Sequence, residues 1–406
     1  MYLRPRSWMI YAWRARARPT CDGYPTGADG CATVRFRRSD QPAAAGRSVT
    51  KQCYSYGLRT PVPMFESVEL VSRPNWKLRI ICSIGVLSLL GGLLWLLRMT
   101  QMPLKSYRGP LPPLTQEQSQ LRDLLSSDVK YLSETIGERS IDRLGSLAKT
   151  VDYIRETLQG AGYAVADHSY SFAGQPVHNL EAILLGTAPE SSSIIVGAHY
   201  DSLAGTVGAN DNATGIAATL RLAQLLKGSR PHRTVRFLFF VNEEPPYFQT
   251  ENMGSRVYAH ELRREGVRIS AMVSLETIGF YSDAADSQKY PPLLGLFYPK
   301  RGNFIGFVGN SKARDLVRMC IREFRESTSF PSEGVAAPGE WPGVGWSDQW
   351  SFWKENYPAI MITDTAVFRY PYYHTSRDTF DKLDFDKTAR VVDGVQRVLE
   401  TLANEP

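Results

Sequence analysis

The chain has 406 residues with 47 Lys/Arg against 41 Asp/Glu, a formal charge of +6, and 43% hydrophobic residues, which is ordinary for a globular protein carrying one apolar segment. The positive excess is local: residues 1–79 hold 14 Lys/Arg and 5 Asp/Glu, leaving 33 against 36 in the remainder. The main body is therefore slightly acidic; the basic excess belongs to the N-terminal segment and says nothing of nucleic-acid binding by the main domain, for which no nucleic-acid partner is expected.

Residues 1–63 are rich in Arg, Ala, Gly and Pro without a sustained apolar period and read as a disordered basic segment, with Met64 available as an alternative start. Residues 64–79 read as a cytoplasmic juxtamembrane stretch. Residues 80–97, IICSIGVLSLLGGLLWLL, run for 18 residues without a charge, which is the length a transmembrane helix needs. Arg73, Lys77 and Arg79 precede this run and only Arg98 and Lys105 closely follow it. That bias predicts a single-pass anchor in the inner or plasma membrane, with the N-terminus cytoplasmic and the following domain periplasmic or extracellular. No small-residue cleavage site follows Leu97, so a signal peptide is disfavoured. Of the 5 Cys, Cys21, Cys31 and Cys53 lie on the cytoplasmic side, Cys82 in the membrane and Cys320 alone beyond it, so no disulfide framework is expected.

Residues 98–113 hold four prolines between Pro103 and Pro113 and read as a stalk; residues 114–406 read as one domain. Helical spacing is expected over Leu114–Ile136 and Ser146–Leu158, then strands over Tyr163–Phe172, His178–Leu185 and from Ile194. A helix over Ala213–Leu226, a strand over Thr234–Val241, a helix over Gly254–Glu265 and a strand over Ile269–Leu275 follow. Tyr281–Pro299 reads as a long loop, Phe304–Val308 as a strand, Ser311–Glu326 as a helix, Ala359–Thr363 as a strand and Asp386–Ala403 as the closing helix. This alternation predicts an α/β fold of three layers, α/β/α, around a mostly parallel mixed sheet.

The chemistry-bearing residues fall at the expected strand ends, where open α/β sheets hold their ligands. His199 and Asp201 close the Ile194 strand on one face, and Asp211 follows in a Gly/Asn-rich turn before a helix. A His and two carboxylates so placed make a metal cradle, with Asp201 suited to orient the His199 imidazole. An N-capping Asp211 in a plain loop is the alternative reading of that stretch. Glu243 and Glu244 follow the strand TVRFLFFV; adjacent side chains point different ways, so one can bind metal while the other takes a proton from water. Glu276 ends the next strand, and His374 lies in an aromatic loop after the last. Asp348 reads as a helix cap, and His168, His178, His232 and His260 as structural or surface residues. Glu340–Trp353 is heavily aromatic and reads as surface loop plus core helix, or as pocket lining.

The stretches GAHYDS, GANDNATG, FVNEEPP, SLETIG and YHTSRDT, in that order, resemble the co-catalytic di-zinc aminopeptidase family, which also holds glutamate carboxypeptidases and glutaminyl cyclases. The resemblance covers most of residues 115–400. It implies the zinc exopeptidase fold and two Zn2+ per chain. Asp211 would bridge the ions, with His199 and Glu276 completing one site and Glu244 and His374 the other. Glu243 would be the general base and Asp201 the partner of His199. Many relatives have Asp where this chain has Glu276, which keeps the charge and adds a methylene. Tyr373 matches a position where some members place a tyrosine that polarises the scissile carbonyl; a packing aromatic is the other reading. Peptide substrates follow from the resemblance, most directly an aminopeptidase, with a carboxypeptidase, a one-zinc glutaminyl cyclase or a non-catalytic receptor-like domain as alternatives. The spacing leaves oligomeric state open.

Overall fold

The fold grows from one apolar sheet whose strands alternate their side chains between two helical layers. The structure, a computed structural model, describes residues 76–405 apart from residue 173, so the expectations for residues 1–63 and most of 64–79 lie outside it. In chain order the elements are α1 Trp76–Thr100, α2 Gln116–Lys130, α3 Leu144–Gly160, β1 Val165–Phe172, β2 Gln175–Leu184 and β3 Ser193–His199. Then come α4 Thr214–Leu226, β4 Val235–Phe240, α5 Gly254–Arg264, β5 Ile269–Glu276, β6 Ile305–Asn310 and α6 Arg314–Ser327. β7 Ser332–Ala337, α7 Gln349–Lys354, β8 Ala359–Thr363, the short α8 Ala366–Arg369 and α9 Phe385–Asn404 complete the chain.

The eight strands pair in the order β1-β2-β4-β3-β5-β8-β6-β7. The central set β4, β3, β5 and β8 is parallel, and β2 and β6 join its two sides antiparallel. Such strands are buried on both faces, as the unbroken burial of β3 shows. Ile194, Val196 and Ala198 face the larger core with α2, α3, α4, α6 and α9, whereas Ile195 faces the smaller one with Tyr258 and Leu262 of α5 and Phe352 of α7. These are the three layers the alternation predicts.

Local chemistry sets the boundaries. The expected helix over Leu114–Ile136 begins at Gln116 because Thr115 and Gln118 form a reciprocal capping box, and its last six residues widen into a π turn, Tyr131–Ile136. β7 escapes sequence reading because SEGVAA has neither alternation nor a β-branched run; its position is set by pairing with β6. The chain after α1, expected as a stalk, lies along the domain. Arg325 donates to the Pro103 and Leu104 carbonyls, and the Ser332 amide donates to the Ser106 hydroxyl, so this segment borders the outermost strand β7 and covers the kind of exposed edge that invites aggregation. α1 itself extends beyond the expected 80–97 at both ends; its Arg79–Thr100 portion is long and apolar enough to cross a membrane, and it is exposed until its last turn, where Met99 is buried.

A buried ion pair ties the helical layer together. Asp128 of α2 accepts from Arg221 of α4 at 2.6 Å and from the Tyr153 hydroxyl of α3 at 2.6 Å. Removing one partner strands the other charge in a low-dielectric core, so Asp128→Ala is expected to lower stability by about 3–5 kcal/mol. Chemical denaturation of the variant, with unchanged dependence on denaturant, checks this.

Candidate metal centre

Three adjacent parallel strands and the loops that follow them deliver every candidate residue to one end of the sheet. His199 is the last residue of β3 and Glu276 the last of β5, while Glu243 and Glu244 follow β4 within four residues. Asp211 enters from the turn before α4 and His374 from the loop beyond α8. The atoms His199 Nε2, Asp211 Oδ1 and Glu276 Oε2 form one group: the imidazole nitrogen lies 3.3 Å from each oxygen. His374 Nε2 lies 3.2 Å from Asp211 Oδ2 and 3.2 Å from Glu244 Oε2, forming a second. Asp211 is common to both, turning one oxygen to each.

These spacings fit a divalent cation in each group. Ligands about 2.0–2.1 Å from a tetrahedral zinc stand about 3.3 Å apart along each edge of the tetrahedron. His199 Nε2, Asp211 Oδ2 and both Glu244 oxygens are buried yet lack a partner in hydrogen-bond geometry, so their lone pairs converge on space rather than on donors. Buried polar atoms without partners are costly, and a cation satisfies them together.

Electrostatics agrees. Burial pushes the Glu244 carboxyl up to about 7, with the Asp211 charge adding to the effect and His374 opposing it. Burial likewise raises Glu276, and it raises Glu243 well above the carboxylate range, with Glu276 and Glu244 assisting and His199 opposing. Burial disfavours charge on the imidazoles, but surrounding carboxylates win: His374 is raised to about 11 by Asp211 and Glu244, and His199 well above its usual value by Glu243 and Glu276. Asp211 is held low: burial opposes this, but hydrogen bonding and charge from His199 and His374 prevail. In the absence of cations the cluster balances its charge with protons.

Asp201 differs from expectation in its contacts. His199 Nδ1 lies 3.1 Å from the Asp201 backbone carbonyl, while the carboxylate is 3.6 Å away. That carboxylate instead accepts the backbone amides of Glu243 and Glu244 at 3.2 and 3.1 Å, fixing the corner that aims them. Tyr373 stacks on the His374 ring at 3.9 Å between centroids and lines an apolar cleft that begins at Glu276 and encloses roughly 790 Å³, part of it open to solvent. Burial, then the charges of Asp211, Glu276, Glu244 and Glu243, keep its hydroxyl protonated.

The turn that carries Asp211 explains its unusual sequence. Asp378 accepts the amides of Asn210 and Asp211 at 2.9 and 3.0 Å, and Asn212 bonds the Leu275 carbonyl and the Gly215 and Thr277 amides. Gly208 has φ 54°, and a Cβ there would meet the Asp211 carbonyl at 2.2 Å; one at Gly215 would meet Asn212 Oδ1 at 2.4 Å. Asn242, Thr277 and His374 also adopt left-handed φ of 60°, 44° and 56° beside the ligand positions. Such conformations cost on the order of 1 kcal/mol each and persist where surrounding structure enforces them.

Several residues of the centre escape sequence reading. Arg139 is fully buried and donates to the carbonyls of Tyr200 at 2.9 Å, Val207 at 2.6 Å and Gly208 at 2.9 Å, joining the loops that bear His199 and Asp211. Burial lowers it to about 10, opposed by Asp378, Asp201, Asp211 and Glu244, so it remains a cation beneath the carboxylates. No motif marks it. Ser347 donates to Glu276 at 2.8 Å. Asp348 stands at the start of α7 but makes no capping bond; it is fully buried with neither oxygen in hydrogen-bond geometry, and burial pushes it up to about 7. Besides burial, the charge of His199 lowers it and those of Glu276 and Asp201 raise it. His168, His178 and His260 pair with Glu181, Asp167 and Glu355, away from the ligand groups.

Arg139→Met removes the buried cation and the bonds it donates to five backbone carbonyls while changing none of the candidate ligands. The variant is expected to lose about 3 kcal/mol or more of stability and to bind zinc at least about tenfold more weakly. Thermal unfolding and equilibrium dialysis with zinc measure the two effects.

Residues 179–399 match the model of peptidase family M28. The chain is 39% identical over 284 residues to the uncharacterized protein YfbL of Escherichia coli (strain K12), covering 68% of this chain and 86% of that one. Among solved structures, the LapA aminopeptidase of Legionella pneumophila superposes with a TM-score of 0.56 at 19% identity, over 73% of this chain and 78% of that one. The glutaminyl cyclase of Porphyromonas gingivalis superposes with 0.54 at 18% identity, over 69% and 98%. At these identities the structural likeness is one of fold, and the family match spans every candidate ligand, from His199 and Asp211 through Glu244 and Glu276 to His374. The family model spans more than half of the sequence and, with the 39% identical relative, places this chain in peptidase family M28.

Proposed function

We propose that the chain is a zinc exopeptidase of the aminopeptidase type that holds two zinc ions per subunit. The observation that carries this reading is the pair of ligand groups sharing Asp211, each complete with one imidazole and two carboxylates. His199, Asp211 and Glu276 would hold one ion and Asp211, Glu244 and His374 the other. A one-zinc cyclase has no use for a complete second group, and a receptor-like domain has use for neither. The fold likeness to LapA and to a cyclase is compatible with both chemistries, so it is the ligand set that favours hydrolysis.

Zinc bound there would supply an acidified water and take up negative charge developing on the scissile carbonyl. Glu243 is the general base: buried, within 3.9 Å of the His199 nitrogen and raised in pKa, it takes the water proton and delivers it to the departing amine. Asp201, through the Glu243 and Glu244 amides, keeps that carboxylate aimed. Tyr373, un-ionised between His374 and the apolar cleft, donates to the carbonyl of the bound peptide. α1 is the single membrane anchor, with the catalytic domain on the side opposite the N-terminus.

Glu243→Ala is expected to retain both zinc ions and lose about 10²- to 10⁴-fold in kcat on aminoacyl chromogenic amides. Loss of metal in that variant would reassign Glu243 to the ligand set, and turnover of N-terminal glutaminyl peptides without amide hydrolysis would favour the cyclase. Metal uptake should also release protons, because cations replace those held by His374 and Glu244. The ligating forms are the deprotonated ones, so affinity is expected to fall as pH falls, by about tenfold per pH unit for each proton displaced. Calorimetry in buffers of different ionisation enthalpy counts those protons.

A further inference from the structure

The upstream turns of α1 are exposed, but Met99 in its last turn is buried against Val308, Ala337, Val344 and Met361. Val308, Val344 and Met361 also form a wall of the apolar cleft that opens at Glu276 and Tyr373. One row of side chains thus has the cleft on one side and the end of the anchor on the other. Trp95, one turn earlier, meets Trp341 edge-on at 5.5 Å, next to Pro342–Val344 of the same wall. The contact is latched from α6: Arg314 donates to the Arg98 carbonyl at 2.9 Å and Arg318 to that of Gln101 at 2.6 Å. A tether needs none of these contacts; a loose exposed linker would serve it equally well.

We propose that the end of α1 is a buttress of the cleft wall and that Met99 is a positioning residue setting how large an apolar substrate group the cleft accepts. This rests on the aminopeptidase reading, in which the cleft beside the ligands receives the side chain at the cleaved end. Packed interiors relax only partly into a void, so shortening Met99 lets Val308, Val344 and Met361 retreat and deepens the cleft.

The test uses the full chain in detergent, with Met99→Ala, Met99→Leu as a volume-conserving variant and Leu93→Ala on the exposed part of α1 as control. Two readouts are compared: kcat and KM for phenylalanyl and alanyl amides, and calorimetric affinity for phenylalaninol and alaninol, which have no scissile bond. Met99→Ala is expected to raise the phenylalanyl preference by about threefold or more through KM, with the alanyl kcat within about twofold of wild type. Met99→Leu and Leu93→Ala should match wild type. Should the alanine variant fail to fold, Met99→Val makes a smaller cut at the same place. An unchanged preference in both readouts, in a folded Met99→Ala or Met99→Val protein, overturns the proposal and leaves the aminopeptidase reading standing. A shifted amino-alcohol preference in a protein that cleaves no aminoacyl amide does the reverse.

Discussion

The structure depends on holding like charges together where water cannot separate them. Asp211, Glu243, Glu244 and Glu276 are all buried within one cluster, and carboxylates at such spacing repel strongly in a low-dielectric interior. Two imidazoles and the fully buried Arg139 oppose that repulsion, and metal ions would complete the balance. Arg139 is suited to its place because guanidinium spreads its charge over several donors that backbone carbonyls can satisfy. A lysine could supply the charge but not the fork that ties the Tyr200 and Gly208 loops.

Rigidity around the cluster follows from the same requirement. Ligands that repel one another move apart unless their backbones are fixed, and here the sheet fixes two of them directly. His199 and Glu276 end neighbouring strands in register, so their separation is set by interstrand spacing. Asp211 and His374 come from loops and need other restraints. Asp378 serves both: it lies four residues after His374 and binds the amides of the Asp211 turn, so the two loops are joined behind the ligands they carry.

How much of this is legible in sequence follows from chemistry. Metal ligands come from few residue types, and their placement after apolar strands marks His199, Asp211, Glu244, Glu276 and His374 as candidates that the fold brings together, as the strand–helix alternation makes the three layers readable. Residues that work through backbone contacts leave no such trace. Arg139 looks like any arginine between two helices, and Asp348 before α7 looks like a cap because capping is what an aspartate there most often does. β7 is likewise invisible because its place comes from β6 and from the segment covering its edge, not from SEGVAA itself.

The same distinction separates the reaction from the choice of substrate. Paired cations beside a general base would activate water against any amide, and nothing in the geometry of the ligand groups identifies the end of a peptide or its side chain. Selection must come from the walls around the centre, and beyond Glu276 and Thr277 at its mouth those walls belong largely to elements that carry no candidate ligand: the loop from Tyr290 to Tyr298, β8, the antiparallel β6 with β7, and Pro342–Val344. These are also the elements nearest the chain's entry from α1. The ligand-bearing half of the sheet is constrained by charge and tolerates little change, whereas the half that shapes the cleft is constrained only by packing. Specificity can therefore vary there without disturbing the centre, and α1 enters the fold on the side where it can influence that variation.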